Sequence, residues 1–328
     1  MIDVRAAASE IERLMTPLLD NEQLRQLRKV LEHCLFDPES LGTSEGEGDN
    51  ERYLSAFLKA KRLEGCSSRT IGYYVSTLQK FISKASKAVV RMTTEDLREY
   101  LVDYQAGGNV SMTTVDNVRR VLSTFFAWLE GEDYILKSPM RRIKKIRAPQ
   151  VVKEIYSDEA LEIMRDSCSN VRDLAIIDIL ASTGMRVGEL VRLDRSDLDF
   201  ENRECVVFGK GAKERMVYFD ARTKIHLRQY LSGRADSNPA LFVSLDAPHD
   251  RLQISGVESM LRKLGRSLQL NKVHPHKFRR TLATRAIDKG MPIEQVQALL
   301  GHTKIDTTLQ YAMVDQSNVR NSHRRYIA

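Results

Sequence analysis

The sequence has few cysteines and no long apolar run, and both shortages limit what the protein can be. Its four cysteines, Cys34, Cys66, Cys168 and Cys205, include no Cys-x-x-Cys pair, which argues against a structural zinc site and a disulfide framework. No apolar stretch approaches the roughly 18 to 20 residues that span a bilayer. Residues 1–5 lack the basic region and apolar core of a secretory signal. We therefore expect a cytoplasmic protein without a membrane partner.

Sequence patterns for nucleotide and metal binding are also missing. Nucleotide hydrolases need GxxxxGK[ST], which Gly209-Lys210-Gly211 does not fit, so ATP is not implied. The histidines considered below, His276 and His302, have no carboxylate or cysteine at ligand spacing. We therefore expect no metal and no other cofactor.

The chain is basic, and the excess is concentrated in one segment. Lys and Arg outnumber Asp and Glu by 51 to 44, which gives a net charge of +7 and is compatible with nucleic-acid binding. Residues 137–153, here called the basic segment, contain no acidic residue and overlap a predicted interdomain linker, residues 138–154. Its basic residues are Lys137, Arg141, Arg142, Lys144, Lys145, Arg147 and Lys153. A solvated linker that is basic by chance is the alternative, but we favour a phosphate-binding segment.

The N-terminal part of the chain is predicted to consist of helices and their connections. At 328 residues the chain can hold two domains and an appendage. Apolar residues at three- and four-residue steps predict a helical hairpin in an extension, residues 1–48, broken near residues 19–21. The polar, glycine-rich residues 42–50 predict a flexible connection. Four further helical patterns then predict a small all-helical domain, residues 49–137.

A second domain, residues 155–328, is predicted to be mixed but mostly helical, with a tail at about 312–328. Residues 171–182 predict a helix that is nearly apolar through residues 174–180 and is therefore expected to be buried. Alternating apolar residues at 206–208 and 216–218, around a glycine turn, predict a β-hairpin. Helical patterns resume at residues 222–232, 254–268, 277–289 and 293–300.

Basic residues on the helical domain suggest a nucleic-acid surface. A charged outer face is normal for any amphipathic helix, so a plain solvated face is the alternative. Together with the basic segment, these residues are our candidate DNA contacts. The candidates are Arg69, Lys80, Lys84, Arg119, Arg120, Arg141, Arg142, Lys144 and Lys145.

Four clusters in the second domain carry candidate chemistry. Arg186 lies in a predicted turn between helices, where an arginine can donate two parallel hydrogen bonds to a phosphate; alternatively it is a surface arginine paired with Glu189. Lys210 lies in the glycine turn of the hairpin. His276 and Arg279 share one helix face, because Pro275 lets a helix start there. The fourth cluster is the Gly301-His302 pair, nine residues before Tyr311, which alone would be a packing tyrosine.

Taken together, six residues resemble the active-site set of the tyrosine recombinases, the phage-integrase and Xer-type family. The motifs TGMRVGEL, GKGAKER, HxxR and LLGHTKIDTTLQY occur in order, and the resemblance runs from about Asn50 onward. One departure is Arg280, where many relatives have histidine; we interpret it as a variation in packing or DNA contact. The six residues are Arg186, Lys210, His276, Arg279, His302 and Tyr311.

The resemblance implies a mainly α fold with a small β-sheet. A helical, SAM-like core-binding domain and a mixed α/β catalytic domain would form a C-shaped clamp around DNA. Tyr311 would attack a phosphate to form a 3′-phosphotyrosyl link, and Arg186 and Arg279 would stabilise the transition state. Lys210 would protonate the leaving 5′-oxygen, His276 would act as general acid or base, and His302 would hydrogen-bond the phosphate.

The resemblance also implies partners. They are double-stranded DNA with specific recombination sites, a homotetramer linked through the tails and, for a mobile-element enzyme, a directionality factor. The N-terminal extension favours integration and excision of a mobile element over Xer-type dimer resolution. A non-catalytic DNA-binding protein and a type IB topoisomerase-like enzyme are the remaining alternatives.

Overall fold

The two halves of the chain fold as separate compact units, residues 1–150 and 151–328. The computed structural model describes residues 4–19, 23–24, 26–28, 30–31, 46–108, 110–148, 154–209, 214–302 and 305–309. These residues form helices and one three-stranded sheet, so the predicted mainly α fold class is confirmed. None of their helices has the length and apolar character needed to cross a membrane.

The N-terminal unit is a helical domain around an aromatic core. Its helices are α1 (Val4–Met15), α2 (Gly46–Leu63), α3 (Ser68–Ile82), α4 (Thr94–Gly108) and α5 (Met112–Gly131). The hydroxyls of Ser67 and Ser111 accept hydrogen bonds from backbone N–H groups in the first turns of α3 and α5, as the sequence predicts. Phe57, Phe125 and Phe126 are fully buried between these helices and supply much of the apolar area that stabilises the unit.

The predicted flexible connection at residues 42–50 is wrong for residues 46–50, which form the start of α2. The predicted boundary between residues 48 and 49 therefore falls inside a helix. Asn50 is buried, and its Oδ1 accepts a 2.8 Å hydrogen bond from the backbone N–H of Val89. This tertiary contact outweighs the low helix propensity of the neighbouring glycines.

The predicted N-terminal helical hairpin is confirmed in the residues described. After α1, residues 23–24, 26–28 and 30–31 are again helical. Arg28 donates to Glu12 across the hairpin at 3.1 Å. The apolar side chains of Ile11, Leu14 and Leu18 remain exposed, so this face of the hairpin is not buried in the core of the unit.

The first part of the basic segment packs on the N-terminal unit instead of spanning open space. Pro139–Arg142 is a short 3-10 helix, and Met140 is buried while Ile143 and Ile146 pack against the same core. The backbone N–H of Ile146 also donates to Asp116 on α5 at 3.0 Å. Apolar residues thus hold the segment while its basic side chains stay exposed.

The C-terminal unit is built around a buried central helix. Its helices are α6 (Asp158–Asp166), α7 (Val171–Thr183), α8 (Val187–Leu190), α9 (Ala221–Ser232), α10 (Ile254–Ser267), α11 (Pro275–Asp288), α12 (Ile293–Leu300) and α13 (Asp306–Leu309). The predicted apolar helix is α7, which packs against α9 and α11. Its Ile176, Ile179 and Leu180 are fully buried, which makes α7 a rigid support for the residues that follow it.

The predicted β-hairpin is confirmed and carries an additional short strand. The strands β1 (Leu198–Asp199), β2 (Glu204–Phe208) and β3 (Glu214–Tyr218) form an antiparallel sheet in chain order. Val206 pairs with Met216, and Leu198 pairs with Cys205. Two-residue β1 is too short to leave an alternating pattern, so the sequence did not predict it.

We predict that Asn50→Ala lowers the free energy of unfolding by about 1–3 kcal/mol, because the buried N–H of Val89 loses its acceptor. Urea denaturation of the full chain measures this change. Glu51→Ala, at the exposed next position of α2, is the control and should change stability by less than about 0.5 kcal/mol. Equal effects of the two substitutions would contradict the role of Asn50.

Candidate active site

Arg186 lies at the junction between α7 and α8, as the sequence predicts. Gly184 ends α7 in the left-handed conformation, with φ of 59°. A Cβ at this position would lie 2.6 Å from Cδ2 of Leu282, so only glycine makes this turn without a clash. Arg186 then occupies the N-cap of α8. Two helices therefore fix the backbone that carries this arginine.

A buried carboxylate, Glu189, holds Arg186 in place. The backbone N–H and Nη1 of Arg186 each donate to Glu189 at 2.8 Å. The Glu189 side chain is only 3% exposed, whereas that of Arg186 is 36% exposed. The ion pair with Glu189, which was the alternative role considered for Arg186, is thus present. Because the arginine remains accessible, its pairing with Glu189 orients it and leaves a side open to a ligand.

Arg215 on β3 completes this ion-pair network. Its two terminal nitrogens donate to the two oxygens of Glu189 at 2.8 and 2.7 Å, and its Nε donates to the carbonyl of Leu299 at 3.1 Å. Burial raises the pKa of Glu189, but the hydrogen bonds from Arg215 and Arg186 outweigh it and lower the pKa to about 2. Glu189 is therefore ionised at neutral pH.

Arg279 connects two of the predicted motifs from inside the unit. It lies on α11, which begins at Pro275 as predicted, and is 1% exposed. Its Nη1 donates to the carbonyl of Gly184 at 2.8 Å, and its Nη2 donates to the carbonyl of Leu300. These carbonyls are two residues before Arg186 and His302, so one guanidinium fixes the positions of both. The side chain of His276, in the first turn of α11, is exposed.

His302 follows α12, whose end is Gly301 in the left-handed conformation with φ of 64°. Its Nδ1 lies 2.9 Å from Oγ1 of Thr308. Burial, followed by the charges of Arg279, Arg186, Arg215 and His276, lowers the pKa of His302 to about 4. His302 is therefore neutral at pH 7. The positive charges near His302 give its surroundings a positive potential, which favours an anion.

Two of the six predicted residues lie outside the described residues. Lys210 follows Gly209 after the end of β2, and Tyr311 is two residues beyond the end of α13. The structure thus brings Arg186, Arg279 and His302 together, with His276 one turn before Arg279 on α11.

Sequence reasoning missed three residues that organise this site. Glu189 was considered only as a surface partner, Arg215 only as part of the motif GKGAKER, and Thr308 only as part of the motif LLGHTKIDTTLQY. Arg215 had a signal, because the period of a strand places it on the same face as the apolar Val217, which is buried. The contact of Thr308 with His302 had none, since it depends on the turn between α12 and α13.

The candidate DNA contacts on the N-terminal unit are exposed with one exception. The predicted exposure of Arg119 is wrong: its side chain is 13% exposed and donates from Nε to Asp116 at 2.7 Å. Asp116 lies one turn earlier on α5, which explains the pairing. Arg141 also pairs with Glu130 but stays exposed. The other exposed candidates are Arg69, Lys80, Lys84, Arg120, Arg142, Lys144 and Lys145.

No cluster of three or more His, Cys, Asp or Glu residues suited to a metal ion occurs among the residues described. The charges of Arg279, Arg186 and Arg215 act on His302 and, after burial, lower its pKa, so its surroundings disfavour a cation.

Comparison with known proteins matches both units. The phage integrase family matches residues 153–318, and the N-terminal SAM-like domain of phage integrases matches residues 53–136. Tyrosine recombinase XerC of Staphylococcus aureus (strain JH9) is 29% identical over 286 residues, which cover 82% of this chain and 96% of the relative.

Solved structures show the same fold. The Tn1549 transposon integrase in complex with transposon right end DNA has a TM-score of 0.70 at 20% identity, covering 84% of this chain and 99% of that chain. XerH site-specific recombinase bound to a palindromic difH substrate has a TM-score of 0.67 at 21% identity, covering 96% of this chain and 93% of that chain.

We predict that Arg215→Met lowers the free energy of unfolding at pH 7 by about 3–5 kcal/mol, because the buried Glu189 carboxylate loses its main cation. The pKa of Glu189 is lowered to about 2 in the folded protein, so its contribution to stability is present above about pH 4.5 and is lost as pH falls toward 2. The difference between wild type and variant should shrink over this range.

Chemical denaturation at several pH values measures the effect of Arg215→Met. Arg192→Met, which removes an exposed arginine after α8, is the control and should have little effect. A destabilisation by Arg215→Met that does not change between pH 6 and pH 3 would show that the Glu189 pair does not cause it.

Proposed function

This chain belongs to the phage integrase family and is a tyrosine recombinase, and on that premise we propose how it acts. Tyr311 attacks a phosphodiester at a specific site in duplex DNA, forming a 3′-phosphotyrosyl link and releasing a 5′-hydroxyl. The 5′-hydroxyl of another strand then attacks the link and restores the phosphodiester. Because the link retains the energy of the broken bond, the cycle uses no ATP.

The observation that carries this proposal is the convergence of Arg186, Arg279 and His302. Arg279 donates to carbonyls that are two residues before each of the other two. All three lie within the stretch that matches the phage integrase family. Positive groups held by rigid elements can stabilise the negative charge that develops on a pentacoordinate phosphate, because they need no reorganisation during the reaction.

We assign the proton transfers to residues beside this cluster. His276 takes the phenolic proton as Tyr311 forms the oxygen–phosphorus bond. Lys210 donates a proton to the 5′-oxygen as the other bond breaks, so the leaving group departs as a neutral hydroxyl. His302, neutral at pH 7, donates a hydrogen bond to a non-bridging oxygen of the phosphate. Support comes from motif order and from the match at residues 153–318, which includes all of these positions.

DNA binding in this proposal depends on both units, residues 1–150 and 151–328. Exposed basic residues on α3, α5 and the basic segment contact phosphates, which supply most of the affinity. Arg119 is left out of this set because Asp116 engages it.

The enzyme acts as a tetramer on two recombination sites. Exchange between two duplexes breaks four strands, and each chain supplies one Tyr311, so four copies are required. The residues after Tyr311 link neighbouring copies in this arrangement, and a directionality factor selects between the forward and reverse reactions.

Integration and excision of a mobile element is the role we favour. The match to XerC covers 96% of that relative but 82% of this chain, so this chain has residues beyond the match. The predicted N-terminal extension, residues 1–48, supports the mobile-element role. Resolution of chromosome or plasmid dimers is the second candidate, because the XerC match spans nearly the whole relative. Mapping the attached nucleotide on candidate element ends and on a chromosomal dimer-resolution site distinguishes the two.

We predict that wild-type protein forms a covalent adduct with a nicked suicide substrate and that Tyr311→Phe forms none, because phenylalanine lacks the attacking oxygen. Denaturing gel electrophoresis of labelled DNA measures the adduct. Tyr218→Phe, at an exposed tyrosine of β3, is the control and should react normally. Binding of the correct site without any adduct would favour a non-catalytic DNA-binding protein.

We predict that Lys144→Ala combined with Lys145→Ala weakens DNA binding similarly for all sequences. The slope of log K against log salt concentration should decrease by about one unit per lost phosphate contact. Fluorescence anisotropy of labelled DNA at several salt concentrations measures this slope. Arg98→Ala, at a surface arginine paired with Glu95, is the control. An unchanged slope would exclude the basic segment from the DNA interface.

A further inference from the structure

The contact between His302 and Thr308 joins two parts of the site that are separated by a turn. Nδ1 of His302 lies 2.9 Å from Oγ1 of Thr308. Thr308 is 0% exposed and lies on α13, where its backbone N–H donates to the carbonyl of Ile305 at 2.7 Å. Its position is three residues before Tyr311, so this contact ties the histidine to the segment that leads to the nucleophile.

The protonation state of His302 makes the direction of this hydrogen bond important. His302 is neutral at pH 7, because burial and the charges of Arg279, Arg186, Arg215 and His276 lower its pKa to about 4. A neutral imidazole carries one N–H and one acceptor nitrogen. If Nδ1 carried the proton, Nε2 would present a lone pair and would repel a phosphate oxygen.

A threonine hydroxyl carries one proton, which it can donate to an unprotonated ring nitrogen. With Nδ1 as the acceptor, the Thr308 hydroxyl donates and Nε2 keeps the proton. Only this tautomer can donate a hydrogen bond to a phosphate while His302 is neutral. The partner of one ring nitrogen thus sets what the other nitrogen can do.

We propose that Thr308 is a positioning residue whose hydroxyl donates to Nδ1 of His302, fixes the Nε2–H tautomer and aims that N–H at the scissile phosphate. This inference rests on the proposed function, in which His302 donates to the phosphate. It adds a residue to the machinery and assigns the tautomer. It also couples His302 to α13, so the histidine and the segment leading to Tyr311 are positioned together.

Adduct formation by two variants tests the role of the hydroxyl. Thr308→Val keeps the shape of the side chain but removes the hydroxyl, and we expect its rate of adduct formation to fall about 10- to 100-fold, the loss typical when the partner that orients a metal-ligating histidine is removed. Thr308→Ser retains the hydroxyl and should stay within about threefold of wild type. DNA affinity should be unchanged in both. Equal rates for Thr308→Val and wild type would overturn the proposal.

The tautomer itself is measured in the DNA-free protein by nitrogen-15 NMR of the imidazoles, with the His302 signals assigned from their loss in His302→Asn. We expect an unprotonated Nδ1 and a protonated Nε2 in wild type and Thr308→Ser, and a mixture of tautomers in Thr308→Val. A protonated Nδ1 in wild type would overturn the assignment.

This measurement also separates the two levels of inference. If wild type forms no adduct with any substrate but shows the Nε2–H tautomer, the proposed function fails while the role of Thr308 toward His302 stands. If adduct forms normally and Thr308→Val neither slows it nor changes the tautomer, the role of Thr308 fails alone.

Discussion

The site depends on the buried carboxylate of Glu189. Taking an ionised carboxylate out of water is costly unless hydrogen-bonded cations surround it, and here Arg215 and Arg186 meet that need. Because Arg215 also bonds to the carbonyl of Leu299, the same carboxylate fixes β3, α8 and the end of α12 relative to one another. The placement of a candidate phosphate ligand, Arg186, thus follows from the requirement to neutralise one buried charge.

The balance of charge explains why such a site suits a phosphate. Glu189 offsets part of the charge of two arginines, and Arg279 adds a third guanidinium, which donates to the carbonyls of Gly184 and Leu300. Positive potential therefore remains, and it adds to burial, the main cause, in lowering the pKa of His302. A potential that disfavours a protonated imidazole favours a bound phosphate. It stabilises the transition state more strongly, because negative charge on the phosphate oxygens increases there.

Much of this could be predicted from sequence, because local patterns specify it. The buried helix α7, the β-hairpin, the caps at Ser67 and Ser111, and the helix start at Pro275 follow from periodicity and capping chemistry. The start of α2 at Gly46 does not follow from local patterns, because it depends on packing that includes the contact of Asn50 with Val89. Arg119 was assigned to the surface because its ion pair with Asp116 is hidden from a hydropathy pattern. The hydrogen bonds of Arg215 and Arg279 connect residues that are distant in the chain, and a single sequence does not reveal such contacts.

The central claim is that this cluster activates a phosphodiester for attack by Tyr311. Mass spectrometry of the protein–DNA adduct after digestion of both components tests it most directly, because it identifies the amino acid and the end of the nucleotide. We predict a nucleotide 3′-phosphate on Tyr311 and a free 5′-hydroxyl on the released strand. A nucleotide on any other residue, or one attached through its 5′-phosphate, would contradict it.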